Sequence, residues 1–195
     1  MAETERRRLD EGPQGALKGL EAIKGPRGPA PVHLWNPPDC GDIPMRIARD
    51  GTWFYQGSPI GRMPLVKLFA SVLRKDGART VLVTPVEKVG IEVEDAPFLG
   101  VEMKAEAGAL SFRDNVDEWT MIDADHPLRF ETGAAEGLKP YYRVRGDLWA
   151  LVKRALFYDL VALGETRRHG GEDWFGVTSS KLFFPMVRAA EIEGL

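Results

Sequence analysis

The sequence predicts an α+β protein: two related hairpin–helix–strand units, an internal repeat with largely antiparallel sheets packed around a shared core. Three observations predict it. Leu65, Leu68, Phe69 and Val72 recur at helical spacing. Short β-prone runs separated by Gly, Asn and Asp fill residues 98–125. After residue 127 the same order of segments returns, PLRF for PMRI, PYYRVR for the aromatic run at 53–55, and WFGVTSSKLFF for VLVTPVEKVGI.

The elements follow in order. Residues 1–31 read as a leader, with Leu17, Leu20 and Ile23 spaced for a short helix over 14–24 and a Pro/Gly-rich linker at 25–31. Residues 32–105 read as the first α/β subdomain. Apolar runs on either side of Asp50–Gly51 predict a hairpin, because that dipeptide accepts positive φ. A helix follows in MPLVKLFASVLRKDG (63–77), with Arg74–Lys75 in its last turn and Asp76–Gly77 as its stop. Strands are expected over 80–85, 89–95 and 98–105. Residues 106–195 read as the second subdomain, with strands at 109–114 and 118–124. GDLWALVKRALFYDLV (146–161) is apolar on most sides and reads as a buried second helix. GETRRHGGED (164–173) reads as a loop.

Composition excludes several function classes. The chain has 195 residues, 44% of them hydrophobic and 28% charged, enough for a packed core. A net charge of −3 leaves no basic stripe for nucleic acid, and Arg6–Arg8 and Arg167–His169 read as solvated surface. No run reaches the about 20 apolar residues of a membrane span, and the charged N-terminus lacks a signal-peptide core. The expected compartment is the cytosol. The one cysteine, Cys40, rules out an internal disulfide and a cysteine-based zinc site, and reads as a packed residue rather than a nucleophile.

No phosphate-binding glycine loop, nucleophile elbow or paired-histidine metal motif is present, so no catalytic residue, cofactor or metal is expected. Polar residues at suggestive places remain. TPVEKVGIEVED (84–95) puts Glu87–Lys88 in a tight connection and Glu92, Glu94 and Asp95 after it. This is either the solvent face of an amphipathic strand or a carboxylate pair for a divalent cation. His126, fixed by Pro127 and near Arg129, suits an anion or simply starts a strand. Arg143 and Arg145 are expected on one strand face, with Arg62 at the equivalent place in the first half.

The segments WNPPDCGDI (35–43), DGTW (50–53), PIGR (59–62), LVTPVEK (82–88), VEDAPF (93–98), HPLR (126–129) and LWALVKR (148–154), in that order, resemble the proteobacterial family called domain of unknown function 1285. The resemblance runs over residues 30–187. It implies a two-part α/β arrangement with repeated motifs, a suggested signalling role and a ligand site between the halves, and it supplies no catalytic residue.

The leading expectation is a non-enzymatic module for a small anionic ligand or for signalling. Arg62, Lys88, His126, Arg143 and Arg145 would contact the anion, oriented by Glu87, Glu94 and Asp95. One alternative is a hydrolase using Glu94, Asp95 and His126 around a divalent cation. The other is a protein-interaction scaffold. The expected partner is thus a small anion or a protein, with no nucleic acid and no membrane.

Overall fold

The computed structural model describes residues 12–20, 23, 30–133 and 137–192. The chain divides into two compact units, residues 1–97 and 98–195. Strands dominate both, and the expected α+β arrangement of two hairpin–helix–strand units is not what forms. Among the described residues there are fifteen strands in three sheets and three short α-helices. None of those helices is long and apolar enough to cross a membrane.

In the first unit β1 (Asp39–Ile47), β2 (Trp53–Tyr55) and β3 (Ser58–Pro59) form an antiparallel meander whose first turn is the expected Asp50–Gly51. Helix α1 (Met63–Ser71) starts with Pro64 in its first turn, where a missing N–H costs nothing, and buries Leu65, Val66, Phe69 and Ala70. Phe69 stacks on Trp53 with ring centroids 6.1 Å apart. The helix ends before Arg74–Lys75, which lie instead in β4 (Leu73–Asp76). Asp76–Gly77 is the hairpin turn into β5 (Arg79–Val83), with Gly77 at φ +58°, and β6 (Lys88–Val93) follows. The sheet order is β3-β2-β1-β6-β5-β4, and β1 and β6 run parallel at its centre.

The second unit holds β7 (Phe98–Glu106), β8 (Ala109–Asp114), β9 (Trp119–Met121), β10 (Leu128–Gly133), β11 (Gly137–Arg145) and β12 (Leu148–Val152), in the order β10-β11-β12-β7-β8-β9. This is the first sheet's order again: two meanders joined through a parallel pair, here β7 and β12. Helix α2 (Arg154–Ala162) is followed by a separate meander of β13 (Glu165–His169), β14 (Glu172–Ser179) and β15 (Leu182–Arg188), then α3 (Ala189–Ile192).

Three further expectations are corrected. Residues 148–152, read as the start of a buried helix, form β12. Leu148, Ala150 and Val152 alternate inward with Trp149 and Leu151, and a run apolar on both faces does not separate helix from strand by period alone. The helix begins only at Arg154 and buries Leu160 alone. Residues 165–169, read as loop, pair with β14 around a Gly170–Gly171 turn in which both glycines have positive φ. The segments matched as a repeat therefore differ in kind: residues 63–71 are helix where 148–152 are strand, and Lys88 lies in a strand where Lys181 sits in a turn at φ +68°. In the leader, a 3-10 turn at Gly12–Gln14 replaces the start of the expected helix, while Leu17 and Leu20 are buried. Residues 25–29 of the linker and Arg6–Arg8 lie outside the described residues.

Candidate functional site

In a paired sheet, residues directly opposite each other share a face. In the second unit's sheet, Tyr142 pairs with Ala150, Ala150 with Phe98, Val152 with Gly100, and Gly100 with Asp114. All of these belong to the buried face, together with Leu110 and Phe112 of β8. Tyr141, paired with Leu151, and Arg143, paired with Trp149, belong to the opposite face.

Simple alternation would keep Arg145 on the face of Arg143. A β-bulge intervenes. Arg143 pairs with Trp149 and Arg145 with Leu148, so two steps on β11 oppose one on β12. The extra residue brings Arg145 to the buried face, with its guanidinium 5.3 Å from the centre of the Phe98 ring. The expectation that the two arginines share a face is thus reversed by one inserted residue.

Arg145 joins two other buried polar groups. Asp114, 0% exposed, ends the Leu110–Phe112–Asp114 alternation of β8. Its Oδ1 accepts hydrogen bonds from the backbone N–H of Val116 and of Glu118, each at 2.9 Å, which closes the turn into β9. Its Oδ2 is enclosed and meets no donor. Burial lifts the Asp114 pKa to about 6. The two amides oppose this, nearby Glu118 reinforces it, and Arg145 lowers it. Tyr142, also 0% exposed, stacks on Phe112 at 5.0 Å with the rings nearly parallel, and its hydroxyl has no hydrogen-bond partner. Burial first, and then the charge of Asp114, raises the phenol's pKa. Burial holds the guanidinium of Arg145 below its ordinary pKa, against the pull of Glu118 and Asp114. Gly100 makes room for the group, because a Cβ there would lie 2.9 Å from Cε1 of Tyr142.

The opposite face carries an arginine rack. The guanidiniums of Arg129 and Arg143 lie 4.1 Å and 5.3 Å from the centre of the Trp149 ring, and Arg129 also lies 5.2 Å from that of Tyr141. A guanidinium stacked on a ring still directs its N–H donors outward in its own plane, where a carboxylate or phosphate takes two at once. Arg143 is half-buried, and its Nε is enclosed without an acceptor. Arg129 contacts Glu131 at 3.1 Å in an exposed ion pair of the kind worth about 0–1 kcal/mol.

The other residues singled out in the sequence sit as follows. Arg62 is exposed at the N-cap of α1, where its carbonyl accepts from the N–H of Leu65 and Val66. Glu87, 2% exposed, accepts from the backbone N–H of Lys18 at 2.6 Å, and Thr84 Oγ1 donates to the Lys18 carbonyl, so this turn anchors the leader. Lys88 donates to Asp76 at 2.9 Å. Arg74 and then Lys88 hold the Asp76 carboxyl at about 2. Glu94 pairs with Arg46 and accepts from the Arg49 N–H at 3.1 Å. Asp95 is half-buried at the end of the first unit. His126 is half-buried on a turn capped by Asp123 Oδ1, which accepts from the His126 backbone N–H at 2.8 Å and lies 3.2 Å from its Nδ1. Among the described residues, no three His, Cys, Asp or Glu side chains are grouped to hold a metal ion.

Sequence reasoning missed Asp114, Tyr142 and Trp149 as site residues. Asp114 left a signal: a carboxylate in phase with Leu110 and Phe112 stands on the buried face of an alternating strand.

Two family models match the chain. One is described as the N-terminal domain of the domain of unknown function DUF1285, over residues 30–96, and the other as the C-terminal domain of the protein of unknown function DUF1285, over residues 97–186. No curated protein matches. The chain is similar to the crystal structure of a DUF1285 family protein from Silicibacter pomeroyi DSS-3, with 47% identity over 93% of this chain and 98% of that one and a TM-score of 0.84. It is also similar to the crystal structure of a DUF1285 family protein from Shewanella baltica OS155. There the identity is 27% over 62% of this chain and 91% of that one, with a TM-score of 0.51.

Proposed function

We propose that this chain, which belongs to the DUF1285 family, is a non-enzymatic module that binds a small anionic ligand on the arginine rack of its second unit. The observation that carries this reading is Arg143: a stacked, half-buried guanidinium whose enclosed Nε lacks an acceptor. An enclosed donor without a partner costs about 1–3 kcal/mol, a cost that an anion's oxygen would remove. Arg129 supplies the second charge, and its exposed pair with Glu131 yields readily to a better acceptor. His126 lies two residues before β10 and adds positive charge when protonated. Of the other arginines singled out, Arg62 belongs to the first unit and Arg145 to the opposite face of this sheet, so the rack is built without them. In the first unit, Lys88 and Glu94 hold ion pairs and Glu87 holds the leader, so the rack is the better-equipped place. A cytosolic signalling role for the ligand-bound form belongs to the same proposal.

Sulfate and inorganic phosphate are the probes. In a calorimetric or NMR titration, the Arg129→Ala/Arg143→Ala double variant is expected to bind sulfate at least about tenfold more weakly, about 1.4 kcal/mol, with its circular dichroism unchanged. Equal affinity in the double variant, or no binding of either anion by the wild type, overturns the reading.

A further inference from the structure

We infer that the turn between β5 and β6 is a peptide-docking site whose resident occupant is the chain's own leader. A partner segment of the same pattern, small–Leu–x–Gly–Leu, docks there by displacing it. The site belongs to the first unit, and the arginine rack to the second.

The turn is shaped to grip a backbone. The Thr84 N–H donates to the Glu87 carbonyl at 2.9 Å, and the N–H groups of Val86 and Glu87 donate to Thr84 Oγ1 at 3.3 and 3.2 Å. The buried side chains of Thr84 and Glu87 then hold both backbone groups of one leader residue. The Lys18 N–H donates to Glu87 Oε1 at 2.6 Å, and the Lys18 carbonyl accepts from Thr84 Oγ1 at 2.8 Å. A carboxylate acceptor makes the first of these a charge-assisted bond. Lys18 itself is exposed, so any side chain suits that position. Selectivity comes from its neighbours. Ala16, Leu17 and Leu20 are buried. Gly19 has φ +77°, and a Cβ there would lie 2.7 Å from Cγ2 of Val86 and 3.3 Å from Oγ1 of Thr84, so the position calls for glycine.

The leader is an occupant of this turn and not a part of the sheet. Among the described residues before Asp39 no strand forms, so the ladder of the first unit is complete without the leader. Thr84, Val86 and Glu87 lie within residues 30–96, the stretch matched as the family's N-terminal domain, and residues 16–20 lie outside it. The domain thus carries a grip for a segment that is not its own. Because the turn is closed by its own hydrogen bonds, an incoming segment does not have to order it. Val86, against Gly19, stays 54% exposed with the leader in place, which leaves the rim of the site open to an approaching chain. The tethered leader competes at an effective concentration on the order of millimolar. It therefore keeps out weak segments and yields to those that bind better.

The probe is a labelled peptide of residues 12–24, GPQGALKGLEAIK. The receptor is the full chain with its own leader unseated by Gly19→Ala. Fluorescence anisotropy is expected to show this variant binding the peptide at least about tenfold more tightly than the wild type, whose tethered leader competes. Lys18→Pro removes the N–H that Glu87 accepts and gives a second unseated chain, which should bind alike. A peptide that itself carries Gly19→Ala should not bind, and amide shifts on titration should centre on Val86 and Glu87. Circular dichroism reads whether the two variants stay folded. Absence of binding by both unseated chains, or equal binding by the wild type, overturns the inference. So does equal binding of the Gly19→Ala peptide, or a set of shifts away from the turn. Unfolding of both variants overturns it too, because the leader would then be part of the core.

Discussion

Asp114→Asn is expected to stabilise the protein at pH 7.5 by up to about 3 kcal/mol. The reasoning is a linkage argument. The folded-state pKa of about 6 lies above the ordinary value of 3.8, so the group binds its proton more tightly when folded. Its contribution to stability is fully present below pH about 4, is lost as pH rises towards 6, and stays lost above that. A difference of about two pKa units corresponds to about 3 kcal/mol. Asparagine keeps an Oδ1 that accepts from Val116 and Glu118, and it buries no charge. It thus mimics the protonated acid at every pH. Urea unfolding at pH 5 and 7.5 checks this. The gain should appear at pH 7.5 and shrink at lower pH, whereas a loss of stability at pH 7.5 would mean that Asp114 is held as a paired carboxylate.

Phe112→Ala should have the opposite effect and a larger one, a loss of about 3–5 kcal/mol. Phe112 is fully buried and lies face to face with Tyr142 at 5.0 Å, so truncation removes a ring from the centre of the sheet's buried face and leaves the tyrosine unsupported over Gly100. The same unfolding measurement reads it. Phe112→Leu, which retains most of the volume, should recover more than half of the loss. A cost below about 1 kcal/mol for the alanine variant would show that the Phe112–Tyr142 stack does not organise this face.

Much of the strand pattern was legible, and the places where it failed have physical causes. Asp50–Gly51, the α1 stripe through Leu65 and Phe69, and the runs at 80–83, 98–105 and 109–114 all carry local signals that tertiary structure reinforces. Residues 148–152 carry two signals at once. Their inward and outward positions are both apolar, and the Gly146–Asp147 turn before them, with Gly146 at φ +50°, is what identifies a hairpin. Gly170–Gly171 is the same kind of signal, passed over because its immediate flanks, ETRRH and ED, are polar and exposed. The arginines illustrate a deeper limit. The spacing of Arg143 and Arg145 places them together on any regular strand, and only the pairing partner reveals the inserted residue that parts them. Asp114 was visible as a polar residue in an apolar phase. Its orphaned oxygen and its neighbours Tyr142 and Arg145 come from β8 and β11, which lie about thirty residues apart in sequence and meet only in the folded sheet.

The account of this sheet's buried face depends on Asp114 being an enclosed acid with one unpartnered oxygen. A carbon-detected NMR titration of the Asp114 carboxyl from pH 3 to 8 measures that directly. The account predicts a midpoint near 6, moving lower in no variant that keeps Arg145 and the burial intact. A midpoint at or below 4 would contradict it, because the carboxylate would then be solvated or fully paired.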